Sequence, residues 1–502
     1  MDCRHPRPVK IALVTPEFLT LVRRTNLAHV AESLALSLKD AGADIRVFLP
    51  RTIDLSATPP PMQPRAVVRV PDGDRKAEFQ IYEQTVQNVP VYLFDHPTLF
   101  AERHPYGGDE GLYEDNWKRY SLFARAVLQS IEVLGFDADI FHCLDWTTGL
   151  IPVYHELEYV RKNADHPATK AGTYFAIHNL AVQGAFEREI LPHIGIPHEQ
   201  FKQIDGVELG GKVNFLKSGA EFATVLGTHS PSHALKIQEK DRGYGMEETF
   251  QRRKKELVGI TNGIDYLAWD PNQDPLLPAA FSADDKDLAG KRKCKAALQS
   301  SLQLDSGPRT PVACMVGRWD ADSGFDLVAE IFTQVLERNV ELVIMGSGSE
   351  EIGQRLRTIE GSFIGRCRVI DGIQPSTAHL IMGGSDLLLL PSHYQPSNPL
   401  FAIGMRYGVV PVVYGMSGLE DTVIDFAKDP KEATGFHFPS YTADALLDTL
   451  VEALKVYRDA ASWKTIVHRC LQQDFSWSQT ASDYLKAYRR VTRRTRSKKK
   501  SA

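Results

Sequence analysis

The stretch that decides the fold is residues 260–275, Ile-Thr-Asn-Gly-Ile-Asp-Tyr-Leu-Ala-Trp-Asp-Pro-Asn-Gln-Asp-Pro. An isolated Asn-Gly pair, such as Asn262-Gly263, indicates only a turn. Turn chemistry does not dictate an aromatic residue at Tyr266 or at Trp269, however, and packing does not explain so long an ordered string. We therefore expect the stretch to have a role beyond packing, and we place a domain boundary at its start, near Ile260.

On each side of this stretch, short runs of β-branched and other apolar residues alternate with helical segments. This alternation is typical of α/β domains with parallel sheets. Ligands of such sheets bind beyond the carboxyl ends of the strands, so we expect the functional side chains to lie there. We predict two Rossmann-like domains, with strands at residues 10–15, 45–49, 91–94, 140–142, 174–177 and 223–226 in the first, and at 312–316, 341–345, 367–370, 386–390 and 410–413 in the second.

Length and composition are consistent with a two-domain cytoplasmic protein. A chain of 502 residues is too long for one core. Its net charge of −5, with 24% charged residues, provides no overall field to hold nucleic acid or a membrane. The six cysteines are scattered and form no C-x-x-C pair, and no apolar run reaches the length of a membrane span. We therefore expect a reducing compartment, no disulfide framework and no metal site.

Further motifs flank the central stretch. Residues 243–246 are Gly-Tyr-Gly-Met, and residues 281–285 are Phe-Ser-Ala-Asp-Asp, followed by Gly290-Lys291. Together with residues 260–275 they resemble segments of bacterial glycogen synthases and plant starch synthases. The resemblance implies a GT-B fold, in which two Rossmann-like domains face an interdomain cleft. It also implies retaining transfer of glucose from ADP-glucose to the non-reducing end of an α-1,4-glucan such as glycogen, with no metal and no cofactor.

The resemblance and the composition together give the predicted domains. An N-terminal, acceptor-side domain covers residues 1–259 and contains a proline-rich loop at 59–64, and a C-terminal, nucleotide-sugar-side domain covers residues 260–474. Residues 475–492 are predicted to form a helix that returns to the N-terminal domain. Residues 493–502 are strongly basic and are predicted to be a disordered tail, with a site for an anionic partner as the alternative.

Four residues are candidate sugar contacts by their resemblance to the family's motifs. His178 matches the histidine that contacts the transferred glucose, although a histidine after a strand can also be a satisfied structural residue. Asp145 matches an aspartate on the acceptor side, and carboxylates accept hydrogen bonds from sugar hydroxyls. Tyr106 would offer a flat face to a pyranose ring of the acceptor. Asn262 matches a sugar-contacting asparagine of the donor site.

The segment after the first predicted strand departs from the family pattern. Two glycines that let backbone amides approach the ADP phosphates at a helix N-terminus are replaced by Thr25 and Asn26. Arg23 keeps the positive charge of the family's lysine, which makes it a candidate donor-binding residue. His29 replaces an aspartate. The alternative is a plain helix start capped by Thr25 or Asn26.

The second domain departs further, at positions where the family's chemistry takes place. Arg318 matches an arginine that stabilises charge on the leaving diphosphate, but its partner lysine is Ser323 here, which supplies no charge. A glutamate central to turnover is Gln395, and Pro399 removes a backbone donor from the segment that meets the diphosphate. The remaining candidate donor-binding residues are Gly346, Ser397 and Asn398.

These features leave three hypotheses for function. The leading one is a glucosyltransferase of the glycogen and starch synthase family, using ADP-glucose and α-1,4-glucan, with reduced activity. The second is a catalytically degenerate paralogue that binds glucan or partners an active synthase. The third is a transferase with an altered nucleotide-sugar specificity. The sequence does not choose between altered and absent donor binding, and it does not predict an oligomeric state.

Overall fold

The protein consists of two compact units. The computed structural model describes residues 7–55, 63–108, 110–240, 242–305, 307–393, 399–415, 419 and 421–501. Unit 1 contains the chain up to Thr261 and from Trp477 onward, and unit 2 runs from Asn262 to Ser476. The predicted proline-rich loop at 59–64 lies largely outside the described residues.

The strands of the described residues alternate with helices in both units, as predicted. Unit 1 contains β1 (Lys10–Val14), β2 (Asp44–Pro50), β3 (Ala66–Asp72), β4 (Arg75–Val86), β5 (Val89–Asp95), β6 (Gly107–Gly108), β7 (Gly111–Leu112), β8 (Ile140–Leu144), β9 (Gly172–Ile177), β10 (Ala185–Phe186), β11 (Glu208–Leu209), β12 (Lys212–Asn214), β13 (Val225–Thr228) and β14 (Leu257–Gly259). Unit 2 contains β15 (Val312–Trp319), β16 (Glu341–Gly348), β17 (Cys367–Asp371), β18 (Leu387–Leu390), β19 (Val410–Tyr414) and β20 (Phe436–Phe438).

The helices begin with α1, whose apolar residues recur at the spacing of one helix face and pack on the sheet. Unit 1 contains α1 (Leu27–Asp40), α2 (Asn116–Val133), α3 (Leu150–Tyr154), α4 (Phe215–Phe222), α5 (Pro231–Lys236) and α6 (Glu247–Arg252). Unit 2 contains α7 (Ala289–Ser301), α8 (Phe325–Leu336), α9 (Glu350–Ser362), α10 (Pro375–Gly384), α11 (Leu400–Arg406), α12 (Ala443–Arg458) and α13 (Ala460–Gln472), and α14 (Trp477–Ser501) belongs to unit 1. None of the helices within the described residues is long and apolar enough to cross a membrane.

Unit 1 is built on a sheet with the strand order β14-β13-β9-β8-β1-β2-β5-β4-β3. The strands from β14 to β5 run parallel, whereas β4 and β3 pair antiparallel with their neighbours. The antiparallel hairpin of β3 and β4 at this edge was not predicted. The missed signal is Gly73-Asp74 between two alternating segments, a two-residue turn in which Gly73 has a φ of +61°.

Unit 2 is built on a parallel sheet with the strand order β17-β16-β15-β18-β19-β20. Its central strands are buried along their whole apolar length, as expected when helices cover both faces. The carboxyl ends of β15 and β16 lie side by side, with Arg318 opposite Ser347. This register places Arg318 and Gly346 at the same edge of the sheet.

Helix α14 corrects the prediction for the end of the chain. Residues 493–501, predicted to be disordered, continue the helix that begins at Trp477. The helix packs on the sheet of unit 1 through the buried side chains of Tyr484, Tyr488 and Val491, and the hydroxyl of Tyr488 is 2.7 Å from Nδ1 of His142. Since nucleation is the costly step of helix formation, a helix anchored by packing extends readily into a basic segment.

Candidate active site

The loop between β1 and α1 is ordered by two buried carboxylates. Oε2 of Glu17, a fully buried residue, accepts the backbone N–H groups of Arg24 and Thr25 at 2.5 and 2.7 Å. Its Oε1 accepts the hydroxyl of Thr25 at 2.7 Å. The carboxylate of Glu32, on α1, accepts the N–H and the hydroxyl of Thr20 at 2.7 and 2.6 Å. The family segment that this loop resembles contains glycines. In this chain, the N–H and hydroxyl groups of the loop instead donate hydrogen bonds to Glu17 and Glu32.

The start of α1 shows how Thr25 and Asn26 replace those glycines. Of the two predicted caps, Thr25 acts at the helix start, since its Oγ1 accepts the N–H of Leu27 at 3.2 Å, while the side chain of Asn26 makes no capping hydrogen bond. Arg23 is exposed just before this turn. A cation is therefore available near the amino end of α1, and the donor-binding role of Arg23 stays a prediction.

Tyr106 is tied to the same loop. Its hydroxyl donates to Oε1 of Glu17 at 2.5 Å, and its ring lies 6.4 Å from that of Trp146. Burial and the neighbouring Glu17 carboxylate raise the pKa of Tyr106 well above its usual value. Glu17 therefore connects Tyr106, the candidate acceptor residue, to the loop between β1 and α1. The sequence analysis gave Glu17 no role.

Asp145 and His178 lie at the carboxyl ends of neighbouring strands, β8 and β9. Oδ1 of Asp145 accepts the backbone N–H groups of His178 and Asn179 at 2.7 and 3.2 Å. Burial raises the pKa of the Asp145 carboxyl to about 7, although these two hydrogen bonds oppose the shift. Asp145 also has a φ of +57°, a backbone conformation that non-glycine residues rarely adopt and that concentrates at functional sites. The sequence analysis placed both residues correctly after their strands.

His178 is held in its neutral form. Burial lowers its pKa to about 4, and its Nε2 is buried without a hydrogen-bond partner. Two fully enclosed histidines, His229 and His233, follow β13 with their rings 3.9 Å apart. Burial also lowers their pKa values, to about 3 for His233. The structure thus adds a group of neutral imidazoles at this edge that the sequence analysis missed, although the spacing His-x-x-x-His at 229–233 was visible.

In unit 2, the turn that joins β15 to α8, taken with its flanking residues as 318–326, contains Arg318 and Ser323. The side chain of Arg318 is 81% exposed and lies 3.3 Å from the carboxylate of Asp320. Ser323 is only 7% exposed, and its backbone N–H donates to Oδ1 of Asp320 at 2.8 Å. Ser323 therefore belongs to the framework of the turn, whereas Arg318 is accessible to a ligand.

The same turn is acidic. Asp322 and Asp326 join Asp320, and their charges reinforce burial in raising the pKa of the nearby Tyr441. Residues 318–326 contain one arginine and three aspartates, which gives them a formal charge of −2. In the family segment that these residues resemble, threonine, glutamine and lysine stand at positions 320, 322 and 323, which would give +1 over the same positions. This turn therefore carries a net negative charge.

Gly346 has a structural reason to be glycine. A Cβ on Gly346 would lie 1.8 Å from the carbonyl oxygen of Gly317 and 2.8 Å from Nε1 of Trp319. The close approach of β15 and β16 therefore accounts for Gly346 without a ligand, and its donor-binding role stays a prediction.

Asn262 is a stronger candidate for a ligand contact. Both polar atoms of its side-chain amide, Oδ1 and Nδ2, are buried without a hydrogen-bond partner in the structure. Buried amides are nearly always paired, so these two atoms are open to a further hydrogen-bond partner, and the sugar-contacting role of Asn262 stays a prediction. Gln395, Ser397 and Asn398 lie outside the described residues, and their predicted roles stay predictions.

Three residues of the stretch 260–275 take part in packing within unit 2. Trp269 stacks on His379 with ring centroids 3.9 Å apart. Oδ2 of Asp274 lies 2.7 Å from Nδ1 of His379 and accepts the hydroxyl of Tyr407 at 2.6 Å. Arg406 pairs with Asp270 at 2.8 Å. Packing within unit 2 therefore explains Trp269, Asp270 and Asp274, which the sequence analysis took as evidence of a role beyond packing.

Comparisons with known proteins assign this architecture to the GT-B glycosyltransferases. The model of the starch synthase catalytic domain matches residues 10–252, and that of glycosyl transferases group 1 matches residues 301–466. Sucrose-phosphate synthase from Thermosynechococcus elongatus has the same fold, with a TM-score of 0.57 and 15% identity over 96% of this chain and 99% of that one. The predicted fold class is confirmed.

Closer relatives define the family. A glycogen synthase from Geotalea uraniireducens is 35% identical over 96% of this chain and 98% of its own length, and one from Anaeromyxobacter dehalogenans is 36% identical over 96% and 99%. The catalytic domain of starch synthase IV from Arabidopsis thaliana, solved with ADP and acarbose, superposes with a TM-score of 0.79 at 27% identity, covering 97% of this chain and 99% of that one. The chain belongs to the glycogen and starch synthase family, as the motifs predicted.

Proposed function

We propose that this glycogen synthase homologue transfers glucose from ADP-glucose to the non-reducing end of an α-1,4-glucan, with a turnover well below that of family members that keep the lysine and the glutamate. The observation that carries the proposal is the unpaired Nε2 of His178. A buried polar atom without a partner costs free energy, which a sugar hydroxyl would recover by forming the hydrogen bond. The proposal includes no metal and no cofactor.

The candidate sugar-binding residues of unit 1 keep hydrogen-bonding atoms that no protein group uses. His178 is neutral, so its ring has one N–H donor and one acceptor nitrogen for hydroxyl groups. Oδ1 of Asp145 is used by backbone N–H groups, but a carboxylate offers further acceptor sites on its other oxygen. The half-buried ring of Tyr106 supplies an apolar face. These three side chains support an α-1,4-glucan as the acceptor.

The reduced turnover rests on the turn after β15. Arg318 is the cation of this turn available to a diphosphate, and three aspartates oppose it. Loss of one preorganised electrostatic group typically slows the chemical step by about a hundredfold to a thousandfold. The effect should appear in turnover, because charge on the leaving diphosphate develops in the transition state.

The acidic turn also favours a second candidate function, a degenerate paralogue that binds glucan without using a nucleotide sugar. A change of donor is the third. Calorimetric titration with ADP, ADP-glucose and UDP-glucose distinguishes them. We expect weak binding of ADP-glucose that Arg318→Ala weakens further, while Arg355→Ala, a change of an exposed arginine on α9, leaves it unchanged.

Three other outcomes of these titrations would contradict the proposal. Binding of UDP-glucose alone would identify an altered donor. Absence of all nucleotide binding, together with maltooligosaccharide binding that Tyr106→Ala and Asp145→Ala weaken, would establish the glucan-binding paralogue. Absence of both nucleotide and maltooligosaccharide binding would leave only the fold in common with the family.

A further inference from the structure

Helix α14 of unit 1 carries a stripe of arginines. Arg489, Arg493 and Arg496 are separated by four and three residues, so they share one helix face, and all three are exposed. Within the described residues, none of them forms an ion pair with a carboxylate. Like charges at this spacing repel one another, so the stripe is unfavourable for the helix unless an anion lies against it.

The stripe lines a pocket with residues from the edge of the sheet. The pocket has a volume of about 510 Å³ and is also lined by Arg7 and Asp139. Arg7 pairs with Asp139 at 2.6 Å, and the backbone N–H of Lys10 donates to the other oxygen of Asp139 at 3.0 Å. Four arginines thus surround one aspartate whose carboxylate is already used, a formal charge of +3. The volume is within the usual range for pockets that hold small ligands.

This pocket is separate from the candidate active site. Asp139 immediately precedes β8, and Asp145 immediately follows it. Because a strand advances about 3.3 Å per residue, the five residues of β8 hold the two edges about 16 Å apart. The arginine pocket therefore lies at the amino edge of the parallel strands, whereas the candidate sugar-binding residues lie at the carboxyl edge.

Stabilisation of the helix end does not account for the stripe. Cations favour the carboxyl end of a helix, but the effect falls off within the last turn, and α14 ends at Ser501. Arg489 and Arg493 lie one turn or more before that last turn. The hydroxyls of Thr492 and Ser497, which also line the pocket, donate to carbonyls of their own helix. The guanidinium groups are thus the donors that face the pocket.

We infer that this pocket binds a small ligand with two or more phosphate groups or equivalent negative charge. The planar guanidinium group matches a phosphate with two parallel hydrogen bonds, which makes arginine the preferred residue for this recognition. Three arginines on a rigid helix and a fourth from the sheet provide several such pairs at once. The inference does not depend on the proposed transfer reaction.

The test is calorimetric titration of the full chain with inorganic pyrophosphate at low salt. We expect the double variant Arg493→Ala/Arg496→Ala to lose about tenfold or more in affinity, since charge-assisted hydrogen bonds are removed. Alanine favours helix, so α14 should persist, which circular dichroism checks. The matched control Arg75→Ala/Arg355→Ala removes two exposed arginines elsewhere and should leave the affinity unchanged.

Other results would overturn the inference. Absence of pyrophosphate binding to the wild type, or equal affinity of the pocket variant and the wild type, would exclude the site. Loss of binding in Arg318→Ala, with the pocket variant unaffected, would show that pyrophosphate binds at the turn after β15 instead. Sedimentation with phosphatidylserine vesicles in the absence of pyrophosphate binding would identify the stripe as a surface for anionic lipid.

Discussion

Single carboxylates order the loops at the strand ends. Glu17 collects three donors from its own loop and a fourth from Tyr106, and Asp320 orders the turn that contains Ser323. The sequence placed Asp145 and His178 correctly, because each directly follows a buried strand. It could not assign Glu17, because Tyr106, its partner, lies 89 residues away in the chain.

Because the hydroxyl of Tyr106 donates to Glu17 in the loop between β1 and α1, its removal should destabilise the protein. Tyr106→Phe removes a hydrogen bond to a buried carboxylate, and such bonds contribute about 1.5–3 kcal/mol. We expect the free energy of unfolding, measured by urea denaturation, to fall by about that amount. Tyr244→Phe, at a tyrosine that is 53% exposed, is the matched control. An equal effect of the two changes would show that the Tyr106 hydroxyl does not support the loop.

The acidic turn predicts a gain of nucleotide binding. The triple variant Asp320→Thr/Asp322→Gln/Ser323→Lys restores the family's residues and changes the local formal charge from −2 to +1. We expect its affinity for ADP to rise by about tenfold or more, as charge repulsion at a binding site costs several kcal/mol. Adding Arg318→Ala should remove the gain. An unchanged affinity in the triple variant would mean that the diphosphate does not bind near this turn.

At the scale of elements, each predicted strand is present, because continuous apolar runs bounded by turns identify buried parallel strands. The hairpin of β3 and β4 and the edge strands β14 and β20 were not predicted. Their outward-facing polar residues or short length give weak patterns. Composition also misled at α14, where a basic segment suggested disorder but packing of the preceding turns sustains the helix.

The histidines that follow β9 and β13 predict acid sensitivity. Burial lowers the pKa of His178 to about 4, so between about pH 6.5 and 4 the unfolded chain binds a proton that the folded chain does not. Stability from this residue is complete above pH ~6.5 and is lost as the pH falls. Asp145 opposes this trend, because its raised pKa of about 7 stabilises the folded state only at lower pH.

The contribution of His178 can be isolated by substitution. We expect His178→Gln to reduce the fall in the free energy of unfolding between pH 6.5 and 4 by on the order of 2 kcal/mol, since each pKa unit corresponds to about 1.4 kcal/mol. His198→Gln, at an exposed histidine of the same unit, should leave the fall unchanged. Parallel curves for the wild type and His178→Gln would show that His178 titrates alike in both states.

Replacing Asp274, in the stretch 260–275, should strongly reduce the stability of unit 2. Asp274→Ala leaves the hydroxyl of Tyr407 and the ring of His379 without their shared partner. We expect the loss of about 3 kcal/mol or more that follows removal of one partner from a buried polar network. Asp284→Ala, at an exposed aspartate nearby in the chain, is the control. A small effect at Asp274, measured by thermal and urea unfolding, would mean that the network does not hold these elements together.

At the scale of the whole molecule, the two units contribute differently. Unit 1 keeps a neutral histidine, a protected carboxylate and an aromatic face that suit a glucan. Unit 2 keeps Arg318, which lies in an acidic turn, and the amide of Asn262. The sequence identified the family through motifs spread over both units. The charge of −2 over residues 318–326 is visible in the sequence, but only the structure shows that Arg318 is exposed while Ser323 is buried.

Incorporation of labelled glucose from ADP-glucose into glycogen tests the central claim most directly. An ordinary enzyme turnover is roughly ten per second. We expect transfer by this protein to be measurable but at least about a hundredfold slower. Transfer should fall further in Arg318→Ala and His178→Ala, and Arg355→Ala should match the wild type. Turnover of roughly ten per second or more in the wild type would contradict a weakened donor side, and a complete absence of transfer would contradict the transferase itself.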